Sequence, residues 1–108
     1  MFVMPKRYLI ESDEGFSVQV LGRGQLLYRE GDREMKIESE LLSGATFLVV
    51  YSKFIHSWEP PHENEAIDDV SRRRIIINIM NAFASQDLLI RVEPPPWWPS
   101  DSIASRMD

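Results

Sequence analysis

"DVSRRRIIINIMNAFAS", residues 69–85, decides the fold, because the same letters support two periods. Taken two at a time, Ile75-Ile76-Ile77-Asn78-Ile79 offers β-branched side chains that suit a strand and are indifferent helix formers. Taken at three- and four-residue steps, Val70, Ile75, Ile76, Ile79, Met80 and Phe83 gather mostly on one side, while Arg72, Arg73, Asn78, Asn81 and Ser85 lie mainly elsewhere. The second pattern is longer and continues from Met80 to Phe83, so it predicts a helix over about 69–85. Asp68 or Asp69 would cap it by accepting hydrogen bonds from first-turn amides that otherwise lack partners.

Upstream of this helix the period is two. Tyr8 and Ile10 alternate with Arg7 and Glu11, Phe16, Val18 and Val20 with Ser17 and Gln19, and Met35, Ile37 and Ser39 with Lys36, Glu38 and Glu40, the pattern of half-buried strands. Asp13-Glu14-Gly15, Gly22-Arg23-Gly24, Gly31-Asp32 and Ser43-Gly44 interrupt it at regular intervals, each with a glycine where a hairpin must reverse. Strands are therefore expected near 6–12, 16–21, 25–30 and 33–41. Thr46 to Tyr51 is apolar without alternation, as in a strand covered on both faces or central in its sheet. Lys53 to Trp58 would extend the sheet until Pro60 and Pro61 remove two successive amide donors. Downstream of the helix, Leu88 to Glu93 alternates again and is expected as a last strand. Together these elements predict an α+β fold, an antiparallel meander of about five to seven strands packed with one main C-terminal helix. One domain over 1–93 is expected, followed by a proline- and tryptophan-rich tail over 94–108.

A chain of 108 residues has room for a single core and for a surface groove, not for a large enclosed site with a lid. Cysteine is absent, which excludes disulfides, thiolate ligands and a cysteine nucleophile, and is consistent with the cytoplasm. At the start, Pro5 and flanking charge interrupt the apolar residues before a secretory core can form, and no stretch approaches the roughly 18 apolar residues that span a bilayer. The formal charge of -5 argues against a nucleic-acid partner, which calls for a basic face. The charge is unevenly placed. Glu59, Glu63, Glu65, Asp68 and Asp69 follow one another with no base among them, and the remaining twelve acids balance the twelve bases.

The candidates for chemistry are few. His56 and His62, the two histidines, lack the four-residue helical spacing of a zinc site, so neither a metal nor another cofactor is expected. Glu38 and Glu40 project to one side of a strand about 7 Å apart, a spacing compatible with acid–base work, but with Lys36 they read better as the wet face of an antiparallel strand. Gly22-Arg23-Gly24 precedes a strand and therefore gives an anion no helix N-terminus. No catalytic residue is expected. Arg72-Arg73-Arg74 is explained by four-residue pairing of Asp68 with Arg72 and Asp69 with Arg73. Trp58 has two readings: an indole closing one end of the core, or the apolar centre of a contact rimmed by Glu59, Glu63, Glu65, Asp68 and Asp69. Trp97 and Trp98 need a surface to cover, in the same chain or in a second copy.

With these elements in place, "YREGDREMKIESELL" and "HSWEPPHENEAIDDVSRRRIIINIMNAF" resemble the bacterial immunity protein 74 family, found beside polymorphic toxins. The resemblance spans about Tyr8 to Glu93 and rests on the alternating strands, the Ser39-Glu40 pair, the Trp58 to Pro61 corner and the isoleucine-rich helix. It implies a small non-enzymatic protein that binds and blocks a toxin. The acidic segment suits a basic, nuclease-like toxin independently, because an acidic face steers association with such a partner. The alternatives are a regulatory module, homodimeric through Trp97 and Trp98, and a small enzyme using Glu38, Glu40 or His56.

Overall fold

The computed structural model describes residues 1–22 and 24–93. Seven strands, β1 (Phe2–Lys6), β2 (Leu9–Ser12), β3 (Phe16–Val20), β4 (Gln25–Glu30), β5 (Arg33–Leu41), β6 (Leu48–Tyr51) and β7 (Ile90–Glu93), lie side by side in sequence order. The first six form an antiparallel meander. One helix, α1 (Asp69–Ser85), follows β6 and returns the chain so that β7 runs parallel to β6.

Alternation puts one side of the meander inward. Register aligns Ile10, Val18, Tyr28 and Met35 in a row across β2 to β5, and Val20, Leu26 and Ile37 in the next. Nearly all of these side chains are buried. Helix α1 lays Ile75, Ile76, Ile79, Ala82 and Phe83 on that face and forms one core with it, together with Ile55, Trp58, Ile67 and Val92. Opposite sides of the strands carry charge, as in the Arg29–Glu34 cross-strand pair at 3.0 Å. β5 joins the two halves of the sheet: its residues 33–38 pair with β4 and its residues 39–41 with β6.

The helical period at 69–85 is the one the protein adopts. Ile75, Ile76 and Ile79 gain more by burying on the sheet, since tertiary packing outweighs the small propensity cost of β-branching, while Ile77 stays exposed on the other side of the helix. Val70, counted with the apolar side, is 76% exposed, because it lies on the first turn ahead of the first buried position, Ile75. Leu48, Val49 and Val50 are all buried in β6, which β5 and β7 flank, as expected of an unalternating apolar run.

Four details differ from the sequence reading. The strand expected at 6–12 is confined to β2, Leu9–Ser12, and an unexpected strand, β1, precedes it, the two joined at Arg7-Tyr8 with Tyr8 at φ 64. β1 is an edge strand, where Pro5 is tolerated and an exposed run shows no alternation. Residues 53–58 add no strand; Ser52–Phe54 forms a 3-10 turn, and Ile55 and Trp58 then turn into the core. The last strand, expected over 88–93, spans only Ile90–Glu93; it pairs parallel to β6, because the helix between them returns the chain across the sheet. Trp97, Trp98 and the tail over 94–108 lie outside the described residues.

Two stability measurements follow from this packing. Ile79→Ala empties a fully buried position under the helix and is expected to lower unfolding free energy by about 2–5 kcal/mol in urea titration. Ser39, 5% exposed, keeps a hydroxyl with no hydrogen-bond partner among the described residues. Such a group carries a desolvation cost of about 1–3 kcal/mol, so Ser39→Ala is expected to be neutral or stabilising in the same assay.

Candidate functional site

The acidic segment leaves the core at Trp58 and re-enters it at Ile67, and between them it is fastened to the β4–β5 turn. The Glu59 amide donates to the Glu34 carbonyl at 2.7 Å, at the start of β5. Two successive turns follow, His62 N–H to Glu59 O and Glu65 N–H to His62 O, each at 3.0 Å. Gly31, at φ 63, makes possible the tight reversal that brings Glu30, Asp32 and Arg33 beneath this loop.

Side chains complete the fastening. Arg33 Nε donates to Glu65 Oε1 at 2.6 Å and its Nη1 to Asp32 Oδ1 at 3.2 Å. His62 Nδ1 lies 2.6 Å from Glu65 Oε2, and its Nε2 lies 3.6 Å from Asp32 Oδ2. Both oxygens of Glu65 are thus engaged. The hydrogen bonds from Arg33 and then from the His62 side hold its carboxyl below the ordinary carboxylate range. Asp68 is the helix cap, accepting from the Ser71 amide at 2.7 Å, and that bond likewise holds its carboxyl low.

The arginine triplet is used differently from the spacing argument. Asp69 pairs with Arg72 three residues on, at 2.6 Å, rather than with Arg73, and Asp68 is occupied in capping. Arg72 also donates to the Ile55 carbonyl at 3.0 Å, and Arg74 grips both oxygens of Glu30 at 3.1 and 2.7 Å. Arg73 remains exposed.

Trp58 is 5% exposed, its ring stacked on Tyr28 at 6.4 Å, so the indole packs in the core and offers no free face. Tyr28 stacks in turn on Phe16 at 6.1 Å, while its hydroxyl leaves the apolar stack, donating to Glu30 at 2.7 Å and accepting from Asn78 at 2.9 Å. Burial, more than these bonds, pushes the Tyr28 phenol up. The ledge from Glu59 to Glu65 therefore sits over an aromatic stack and beside a polar seam between sheet and helix.

Of the five carboxylates read from the sequence, Glu65, Asp68 and Asp69 are committed to internal partners. Glu59 and Glu63 have no ion pair among the described residues; Glu63 is exposed and Glu59 half-buried. Glu38 and Glu40 are exposed on the outer side of β5, where Glu40 accepts from the Tyr51 hydroxyl at 2.9 Å and pushes that phenol up. His56 is exposed beyond the 3-10 turn. No group of three or more metal-ligating side chains forms among the described residues. Nor is any helix there long and apolar enough to cross a membrane.

Residues 18–93, more than half of the chain, match the family model described as immunity protein 74. The chain belongs to the immunity protein 74 family. No curated relative and no solved structure matches it. As a member of a family of polymorphic-toxin immunity proteins, the chain has a toxin as its protein partner and toxin neutralisation as its role. The matched span runs from Val18 in β3 to Glu93 at the end of β7 and contains both the ledge and α1.

The contacts that Arg33, His62 and Arg74 make in this region were not foreseen from the sequence. Arg33 meets Glu65 across 32 residues and Arg74 meets Glu30 across 44, separations at which local spacing carries no signal. The Glu65 carboxyl, lowered by its hydrogen bonds from Arg33 and His62, makes the fastening pH-dependent in a defined direction. Its unfolded value near 4.5 lies above its folded one, so its contribution is fully present above that pH and is lost as pH falls through the folded value. Glu65→Gln is therefore expected to be less stable than the parent protein at pH 7, and the gap is expected to close in strong acid. Urea denaturation of both proteins across pH 2 to 7 checks this, and a gap constant over the series would contradict it.

Proposed function

We propose that the protein neutralises its toxin by direct, non-enzymatic contact in the cytoplasm, through the acidic ledge between Glu59 and Asp69 and the adjoining β4–β5 turn. The observation that carries this reading is the contrast along the ledge. Its backbone is tied to β5 and through successive turns, yet Glu59 and Glu63 hold charges that no internal cation neutralises among the described residues. Charges held in a fixed frame lose little conformational entropy on binding. Glu65, Asp68 and Asp69 contribute to the field and hold the segment in shape, and Trp58 supports it from below.

The partner surface that fits is basic, as in a nuclease-like toxin whose cleft grips phosphate. An acidic ledge both speeds encounter with such a cleft and occupies the place of its substrate. Exposed charges at a contact rim act mainly on association, and salt screens them over a Debye length of about 10 Å at 0.1 M.

Surface plasmon resonance against the toxin encoded beside the immunity gene tests this. Glu59→Gln/Glu63→Gln is expected to slow association about 3- to 10-fold at low salt, with the difference shrinking as salt rises. Association unchanged at every ionic strength would remove the ledge from the interface.

A further inference from the structure

We infer that Arg33 is the positioning residue of the ledge, and that its role is geometric in spite of its charge. This rests on the reading that the ledge contacts a basic partner. A cation amid acids weakens attraction to such a partner, so a surface built for charge alone would omit it. Arg33, at the start of β5, instead lies where it can lock its own strand to the ledge: Nε donates to Glu65 at 2.6 Å, while Nη1 donates to the neighbouring Asp32 at 3.2 Å and so orients the guanidinium. Its planar fork suits two carboxylates at once, and a lysine ammonium would serve them only as a point charge.

The lock is a network rather than an isolated pair. His62 engages the second Glu65 oxygen at 2.6 Å and approaches the second Asp32 oxygen at 3.6 Å, so Arg33 and His62 each reach both acids. Isolated surface ion pairs contribute little, but several charges with short contacts in one network constrain geometry. The amides of Glu59, His62 and Glu65 report on it directly, since they fasten the loop to β5 and close its two turns.

Arg33→Ala separates positioning from charge because the two roles predict opposite signs. It makes the face one unit more negative, so a purely electrostatic ledge associates faster with a basic toxin and forms an equal or tighter complex. A positioning residue gives a different result: protection of the Glu59, His62 and Glu65 amides against hydrogen exchange falls, and the complex dissociates about tenfold faster, whatever happens to association. Arg33→Lys, which retains the charge without the fork, is expected to restore the association rate and only part of the protection. Glu65→Gln is expected to loosen the same three amides from the other side of the lock, which guards against misfolding peculiar to one variant.

Unchanged amide protection in both Arg33→Ala and Glu65→Gln would overturn the lock, with or without toxin present. Loosened amides with unchanged or slower dissociation would overturn the positioning role. If Glu59→Gln/Glu63→Gln leaves toxin binding intact, the contact reading itself fails, a result distinct from either, and the positioning role falls with it.

Discussion

The whole arrangement depends on burying one face of an antiparallel meander under one helix. Tyr28 shows how demanding that constraint is. Its ring belongs to the apolar row of Ile10, Val18 and Met35, and its hydroxyl must find partners where the core meets water. Asn78 from the helix and Glu30 from the same strand provide them. Shifting β4 by one residue would turn that ring and Glu30 together to the outer side and leave Asn78 on the helix without its hydroxyl partner, so register is fixed by polar and apolar requirements together. Trp58, stacked on the same ring, then determines where the acidic segment begins.

Most of the architecture was legible because it follows from periodicity. β3, β4 and β5 lie where period two and glycine turns put them, and α1 occupies the residues at which the apolar spacing lengthens. What was not legible depends on neighbours rather than on local pattern. β1 is exposed and carries Pro5, so nothing in its own sequence distinguishes it from a loop until β2 pairs with it. The parallel direction of β7 is a property of the crossover and not of the four residues Ile90 to Glu93.

For the candidate site, sequence revealed the excess of acid and concealed its neutralisation. Asp68 as a cap could be foreseen, since a short acid before a periodic run is a local signal. The Arg33 and Arg74 contacts could not, because both join residues distant in the chain. Folding thus turns a segment of five like charges into a ledge in which Glu59 and Glu63 have no ion pair among the described residues and Arg33 is cross-linked to Glu65. Composition alone overstates the available field, while the structure adds what composition lacks, a fixed orientation for the charges that remain.

The parallel pair of β6 and β7 bears on how the chain reaches this state. Every hairpin of the meander joins strands close in sequence, whereas Leu48 meets Ile90 only after the loop, the ledge and α1 have been traversed. The entropy of closing so long a span is spent before its ladder can form. Nucleation in the β3–β5 hairpins, with the helix and final strand condensing onto them afterwards, is the route of least entropic resistance, and it would leave the ledge among the last parts of the molecule to take shape.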